Sequence, residues 1–258
     1  MNTAALQQLP LWGHDDLDAD WRVRMSARAR RLGLRVFHDG TVEVVVPPRA
    51  RPREVQAFVA RHRVWIERQR RRLTPPVLAF PPERLELPAL AESWSCRMEA
   101  VAQPQAGAAR RALVHELARD SGGGVLELGA NADGAAMRAA LLDWLAVRAA
   151  AAFPPRLAAL ADSLGCTYRR VQIRRQRTRW GSCSTRGTIS LNFCLLFHRP
   201  EVLRYLMAHE LAHLTHLSHG PRFWELVAHY EPQWQELDRE LTRGWKVVPG
   251  WLLAALRA

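Results

Sequence analysis

Two alternating apolar and polar runs, Leu32 to His38 and Thr41 to Val46, flank Asp39-Gly40 and predict a β-hairpin. The next periodic segment predicts a helix over roughly Arg53 to Arg72, with Val55, Phe58, Val59, Val64 and Trp65 available for its buried side. The Pro-rich stretch Pro75 to Pro88 reads as a linker or exposed connection. Strand-like runs follow near Trp94 to Val101, Arg111 to Leu117 and Val125 to Leu128, with Gly122-Gly123-Gly124 as a turn that carries no phosphate-loop signature. Ala135 to about Leu164 reads as helix with a bend expected at Pro154-Pro155. Tyr168 to Arg177 and Thr188 to Asn192 then read as two strands, with Arg179-Trp180-Gly181-Ser182-Cys183 between them. Val202, Leu203, Leu206, Met207, Leu211, Leu214 and Leu217 recur at helical spacing. They predict a helix that starts near Pro200 and is stopped by Ser218-His219-Gly220-Pro221.

This order of elements predicts an α+β fold, with a small hairpin-and-helix region ahead of a helix, a small sheet and a second helix. The expected divisions are an N-terminal extension over 1–20, a β-rich region with one helix over 21–133, a C-terminal domain over 134–245 and a tail over 246–258. No internal repeat and no low-complexity tail is visible.

The chemistry concentrates in His209-Glu210-Leu211-Ala212-His213, with His219 six positions on. On a helix, a four-residue step turns about 40° net and rises about 6 Å, so both imidazoles project from one face and can share an ion. Zinc accepts three neutral histidine nitrogens and keeps a fourth position for water. Glu210 sits where its carboxylate reaches that water without binding the metal. A third ligand has to come from beyond a break in the helix. His219 follows the break and is the first choice. Glu225 is the runner-up, since two histidines and a glutamate are equally good zinc chemistry. His216 lies about 10 Å along a straight helix from His209 and suits the rim of the site better. The 209, 213, 219 spacing also matches the metzincin pattern, but no methionine follows Met207 to supply its Met-turn. A partial copy, His115-Glu116-Leu117-Ala118, ends in Arg119 and lacks the second ligand.

Composition narrows the setting. The chain has 258 residues, of which 48% are hydrophobic, enough for a substantial core. Met1 to His14 has neither a basic start nor an apolar run, so no signal peptide is expected. The best apolar stretch, near Ala139 to Phe153, is interrupted by Asp143 and Arg148, so no membrane association is expected. Cys96, Cys166, Cys183 and Cys194 show no paired spacing, and a reduced, cytoplasmic location is the natural expectation. The formal charge is +12, carried almost wholly by arginine, with Lys246 the only lysine. Arg68, Arg70, Arg71 and Arg72 form one cluster, and Arg169, Arg170, Arg174, Arg175, Arg177 and Arg179 another. Such a field attracts nucleic acid, nucleotides or acidic peptides, although a solvated basic face is the plainer reading.

Taken together, Arg177-Thr178-Arg179-Trp180-Gly181-Ser182-Cys183-Ser184, Ile189-Ser190-Leu191-Asn192, His209 to His213, and His219 with Arg222-Phe223-Trp224 resemble the YgjP-like metallopeptidase domain, whose relatives include SprT-like and WLM peptidases. The resemblance runs from about Trp21 to Arg243 and is most specific over 168 to 234. It implies a compact zincin-like fold in the C-terminal half. It also implies one zinc ion per chain on His209, His213 and His219, Glu210 as base, and a WGSC segment lining the cleft. The departures are modest: Met207 and Ala208 stand where valines are commoner, and Thr215 and His216 where others are basic or proline. None touches a ligand.

The mechanism expected of such a site is hydrolysis of a peptide or protein substrate. Zinc brings the pKa of its water to about 7, and Glu210 takes the proton during attack and hands it to the leaving amine. Arg179 is the first candidate to stabilise the oxyanion, with Tyr205 and His216 behind it. Trp180 and Gly181 are candidates for the cleft floor, with core packing as the competing role for Trp180. Cys183 reads as a small buried residue, and Phe223 and Trp224 as anchors of the next helix. Two other functions share the motif: a metal-dependent phosphohydrolase acting on nucleotides, with arginines holding phosphates, and a nucleic-acid-associated protein with a structural metal. Three histidines favour zinc over the magnesium or manganese that phosphate chemistry prefers.

Overall fold

β-Branched alternation builds the first sheet. In the computed structural model, which describes residues 21–37, 40–73, 79–99, 114–130 and 132–256, Val42, Val44 and Val46 of Val42–Val46 (β3) share one face and are fully buried. This strand is central, parallel to Trp21–Met25 (β1) and antiparallel to Gly33–Val36 (β2). The hairpin between β2 and β3 is present, with Gly40 at φ 84°, a left-handed conformation that glycine adopts without a Cβ clash. Asp39 lies outside the described residues.

The single helix expected over 53–72 is two, Pro52–Arg61 (α1) and Arg63–Leu73 (α2), interrupted at His62. His62 turns back on its own helix: its N–H donates to the Val59 carbonyl (3.0 Å) and its Nδ1 bonds the Phe58 carbonyl (2.7 Å). The interruption leaves the helical phase in place: Val55, Val59 and Ile66 lie on one stripe facing the sheet, while Val64 and Trp65 fall off that stripe and are 70% and 43% exposed.

These elements belong to one of two compact units, residues 1–76; the other spans residues 77–258. In the second unit, Arg84–Leu87 (β4), Glu92–Glu99 (β5), Val114–Asp120 (β6) and Gly123–Gly129 (β7) form a sheet of order β4-β5-β7-β6. The stretch expected to be a linker up to Pro88 therefore ends in a strand, whose Leu85 and Leu87 are buried; four alternating residues are too short a run to show a period. The partial motif at His115 lies on β6, where successive side chains point to opposite faces.

Gly134–Ser163 (α3) is one helix that runs through Pro154-Pro155, capped by Asp133, whose Oδ1 accepts the Ala136 N–H. Its Met137, Leu141 and Leu145 share a core with Trp94, Leu126 and Leu128 of the sheet. Buried Glu92 ties the two together, pairing with Arg148 of α3 and accepting the Trp94 indole N–H (3.0 Å). The boundary expected at 133/134 thus runs through a continuous core, and the division falls at 76/77.

The remainder carries the motif residues. Arg170–Arg174 (β8), Gly181–Cys183 (β9) and Thr188–Asn192 (β10) form a sheet of order β8-β10-β9, parallel on one side of β10 and antiparallel on the other. The segment expected merely to connect two strands is itself the edge strand. Pro200–Ala212 (α4), Pro221–Tyr230 (α5), Trp234–Thr242 (α6) and Gly250–Ala255 (α7) follow. The last of these replaces the expected tail: Trp251, Leu252 and Leu253 are buried in the same core as α4. The α+β class stands, and no helix among the described residues is long and apolar enough to cross a membrane.

Candidate metal centre

The site is built where α4 ends early. The apolar periodicity continues to Leu217, but the helix stops at Ala212, and Leu217 is 62% exposed. The chain tightens there through Leu214 N–H to Leu211 carbonyl (3.0 Å) and Thr215 N–H to Ala212 carbonyl (3.1 Å), the i→i+3 bonding of a closing turn. His213 becomes the cap residue, and the following turn brings His219 back towards the helix.

Nitrogens of His209, His213 and His219 all lie within 4.8 Å of one another, a group able to hold a metal ion. The His209 and His219 Nε2 atoms are 3.1 Å apart. Ligand nitrogens around a tetrahedral zinc stand about 3.3 Å apart, given Zn–N bonds of about 2.05 Å. The group therefore needs little adjustment. Neither Glu225 nor His216 belongs to it among the described residues.

Hydrogen bonds select the tautomer such a site needs. The His213 Nδ1 bonds the His216 carbonyl at 2.9 Å; a carbonyl only accepts, so Nδ1 carries the proton and Nε2 keeps its lone pair. His216 thus contributes its backbone to the site. At His209 the same result comes from a relay. The Tyr205 hydroxyl donates to Asp238 Oδ1 (2.8 Å), leaving its oxygen to face His209 Nδ1 at 3.5 Å. Burial, reinforced by His213 and His219, pushes the His209 pKa down to about 3; burial also lowers that of His213. Both shifts favour the neutral ring, the form that binds a metal. Phe223 forms a platform for them, stacked on His213 (ring centroids 4.4 Å apart) and edge-on to His209 and His219. Trp224 flanks His209 and His219 and stacks on Trp234.

Glu210, the residue after His209 on α4, lies against the edge strand β9. It is 3% exposed, and its Oε2 has no hydrogen-bond partner among the described residues. Burial raises its pKa to about 8. Gly181 is what lets β9 lie so close: a Cβ there would stand 2.5 Å from Glu210 Oε1 and 3.0 Å from Cγ and Cδ. A buried carboxylate oxygen without a partner among the described residues, on the residue that follows His209, fits a metal with a proton-bearing ligand at the three-histidine group.

The other residues expected at the cleft separate. Arg179 is exposed, ahead of β9. Trp180 is buried, stacked on Trp245 at 4.0 Å and edge-on to His198 at 4.6 Å, so it packs the core behind the strand. Tyr205 is fully buried with its hydroxyl engaged by Asp238, which removes it as an oxyanion donor. Burial and then Glu210 push the Cys183 thiol up to about 11, far from a thiolate ligand. Two further contributors have no role predicted from the sequence, although Asn192 belongs to the Ile189-Ser190-Leu191-Asn192 motif. Asp238, 33 positions from Tyr205, leaves no local signal. Asn192, fully buried, donates to the Gln176 and Arg179 carbonyls (2.7 and 2.8 Å) and accepts the Cys194 N–H, holding the loop that leads into β9.

An α+β fold with a three-histidine group able to take an ion defines a candidate metalloprotein. The sequence profile described as YgjP-like, metallopeptidase domain matches residues 30–244, so the chain belongs to the YgjP-like metallopeptidase family. No curated protein matches it. Among solved structures, it resembles the metallopeptidase zymogen of Methanocaldococcus jannaschii jannalysin at 20% identity and a TM-score of 0.32, over 36% of this chain and 95% of that one.

Proposed function

We propose that the chain is a zinc-dependent peptidase, with a zincin-like C-terminal half, in which His209, His213 and His219 hold one zinc ion and Glu210 is the general base. The observation that carries the reading is a buried Glu210 Oε2, without a partner among the described residues, on the residue that follows His209 of the three-histidine group, with His213 fixed in its metal-binding tautomer by the His216 carbonyl. Zinc on three neutral nitrogens supplies a Lewis acid with an open position for water, whose pKa it brings to about 7. The protein's own groups do the rest. Glu210 takes a proton at its carboxylate as the scissile carbonyl is attacked, and returns it to the leaving amine. Gly181 leaves that carboxylate room, and Phe223 holds the imidazoles in place.

The outer edge of β9 offers backbone groups to an extended peptide, which would add to the sheet as a further strand beside Glu210. Arg179, exposed at the entry to that strand, is the cation assigned to the substrate carbonyl oxygen, while Trp180 acts by supporting the strand from behind. All three members of the metal group are histidines, which favours zinc and peptide hydrolysis over the carboxylate-rich magnesium sites of nucleotide phosphohydrolases.

Metal analysis with a paired screen of peptides and nucleotides tests this. Wild-type protein should bind one zinc per chain and cleave peptides. Glu210→Ala should keep the zinc and lose about 100- to 10,000-fold in rate. Nucleotide hydrolysis without peptide cleavage, or unchanged cleavage by the variant, would overturn the assignment.

A further inference from the structure

Residues 21–73 contain fifteen arginines against Asp39, Glu43, Glu54 and Glu67, a net charge of +11 in a chain whose total is +12. The described carboxylates in this segment are already engaged. Glu43 pairs with Arg24 (3.1 Å), Glu67 with Arg63 (3.2 Å), and Glu54 accepts the Arg51 backbone N–H (2.9 Å) as the cap of α1. Arg70 is turned inward, its Nε donating to the Gly40 carbonyl (2.8 Å), which ties α2 to the hairpin. The face of α2 opposite buried Ile66 is left with Val64, Trp65, Arg68, Arg71 and Arg72, all exposed. Steps of three and four residues from Trp65 reach Arg68 and Arg72, so the indole and the guanidinium groups share one stripe about 10 Å long.

We propose that this stripe binds single-stranded nucleic acid, with Trp65 stacking on a base and Arg68, Arg71 and Arg72 engaging the flanking phosphates. The chemistry favours that partner. An exposed indole among arginines gives a base a flat surface and its phosphates planar, bidentate donors. An acidic polypeptide would use the charge and leave the indole idle. An anionic membrane would need a broad apolar face, and here the apolar side of α2 is spent on the sheet, with only Val64 and Trp65 outward.

The test is fluorescence anisotropy with the full-length chain and a labelled oligothymidylate of about 20 nucleotides, a length that spans one ordinary single-strand site. Binding should weaken steeply with salt, and Trp65→Ala should weaken it roughly 5- to 150-fold while Trp65→Phe retains most of it. Arg71→Glu with Arg72→Glu should flatten the log–log salt dependence by about 0.7 for each phosphate that is no longer neutralised. Trp65 is exposed, so circular dichroism should show each variant folded. No binding at low salt, an unaffected Trp65→Ala, or equal competition by polyglutamate, phosphatidylserine vesicles or duplex DNA overturns the proposal. Glu210→Gln should bind as the wild type does, so failure here leaves the peptidase reading standing.

Discussion

Gly181 has its effect by having no side chain. A methyl group there would fall 2.5 Å from an oxygen of Glu210, a residue only 3% exposed. Gly181→Ala should therefore displace the carboxylate and lower kcat by one to two orders of magnitude while zinc affinity, measured by chelator competition, stays within about twofold. A parallel loss of zinc would mean that the strand supports the ligands as well. His198 gives a different residue-scale prediction. It is 2% exposed, its Nε2 has no partner among the described residues, and burial pushes its pKa down to about 4, against a weaker opposing pull from Glu240. An unfolded histidine titrates near 6.5. As pH falls from about 6.5 to 4, the unfolded chain takes up a proton that the folded chain refuses, so stability is lost across that window and is fully present above it. Urea midpoints at pH 7 and pH 5 should fall further apart for wild type than for His198→Gln; equal falls would contradict this. The pairing of His209 with His213 is legible in the sequence because a four-residue spacing on a helix is a geometric statement. Asp238 is not, because its bond to Tyr205 crosses 33 positions and joins two separate helices.

Between elements, α6 holds α4 through Asp238 and Tyr205, and α4 presents His209 as a result. Tyr205→Phe keeps the buried ring and removes the hydroxyl; Asp238→Asn weakens the acceptor. Each should reduce zinc affinity about 10- to 100-fold, the usual effect of removing a partner that orients a metal-binding histidine. Unchanged affinity in both would reduce the relay to packing. Long periodic helices are readable in the sequence, and their ends are not. The α4 stripe runs on to Leu217, yet the helix closes at Ala212 because the final turns tighten, and that early end puts His219 within reach of His209. Strand β9, three residues with a glycine, is too short to show a period of two. The α1–α2 pair reads as one helix in the sequence because the break at His62 depends on a side chain bonding its own backbone.

At the scale of the chain, the two units, residues 1–76 and 77–258, divide the chemistry between them. The metal group lies wholly in the second, and the arginine stripe of α2 lies in the first. Periodicity puts the division near residue 133 because neighbouring segments look separate when read locally; the shared core of Trp94 and Leu126 with Leu141 and Leu145 appears only once the sheet and α3 have packed. A metal bound only by the folded second unit should stabilise that unit by about 4 kcal/mol at free zinc a thousandfold above Kd. Calorimetry should show the shift in wild type and not in His213→Ala; a shift in both would place the ion elsewhere.

The central claim is that three imidazoles and one buried carboxylate hydrolyse peptide bonds. Its most direct test is mass-spectrometric mapping of new termini in an unstructured protein substrate incubated with zinc-loaded chain. New termini should appear with wild type and vanish with Glu210→Gln at equal zinc occupancy. Termini that persist with Glu210→Gln, or a substrate left intact by fully zinc-loaded wild type, would contradict the account.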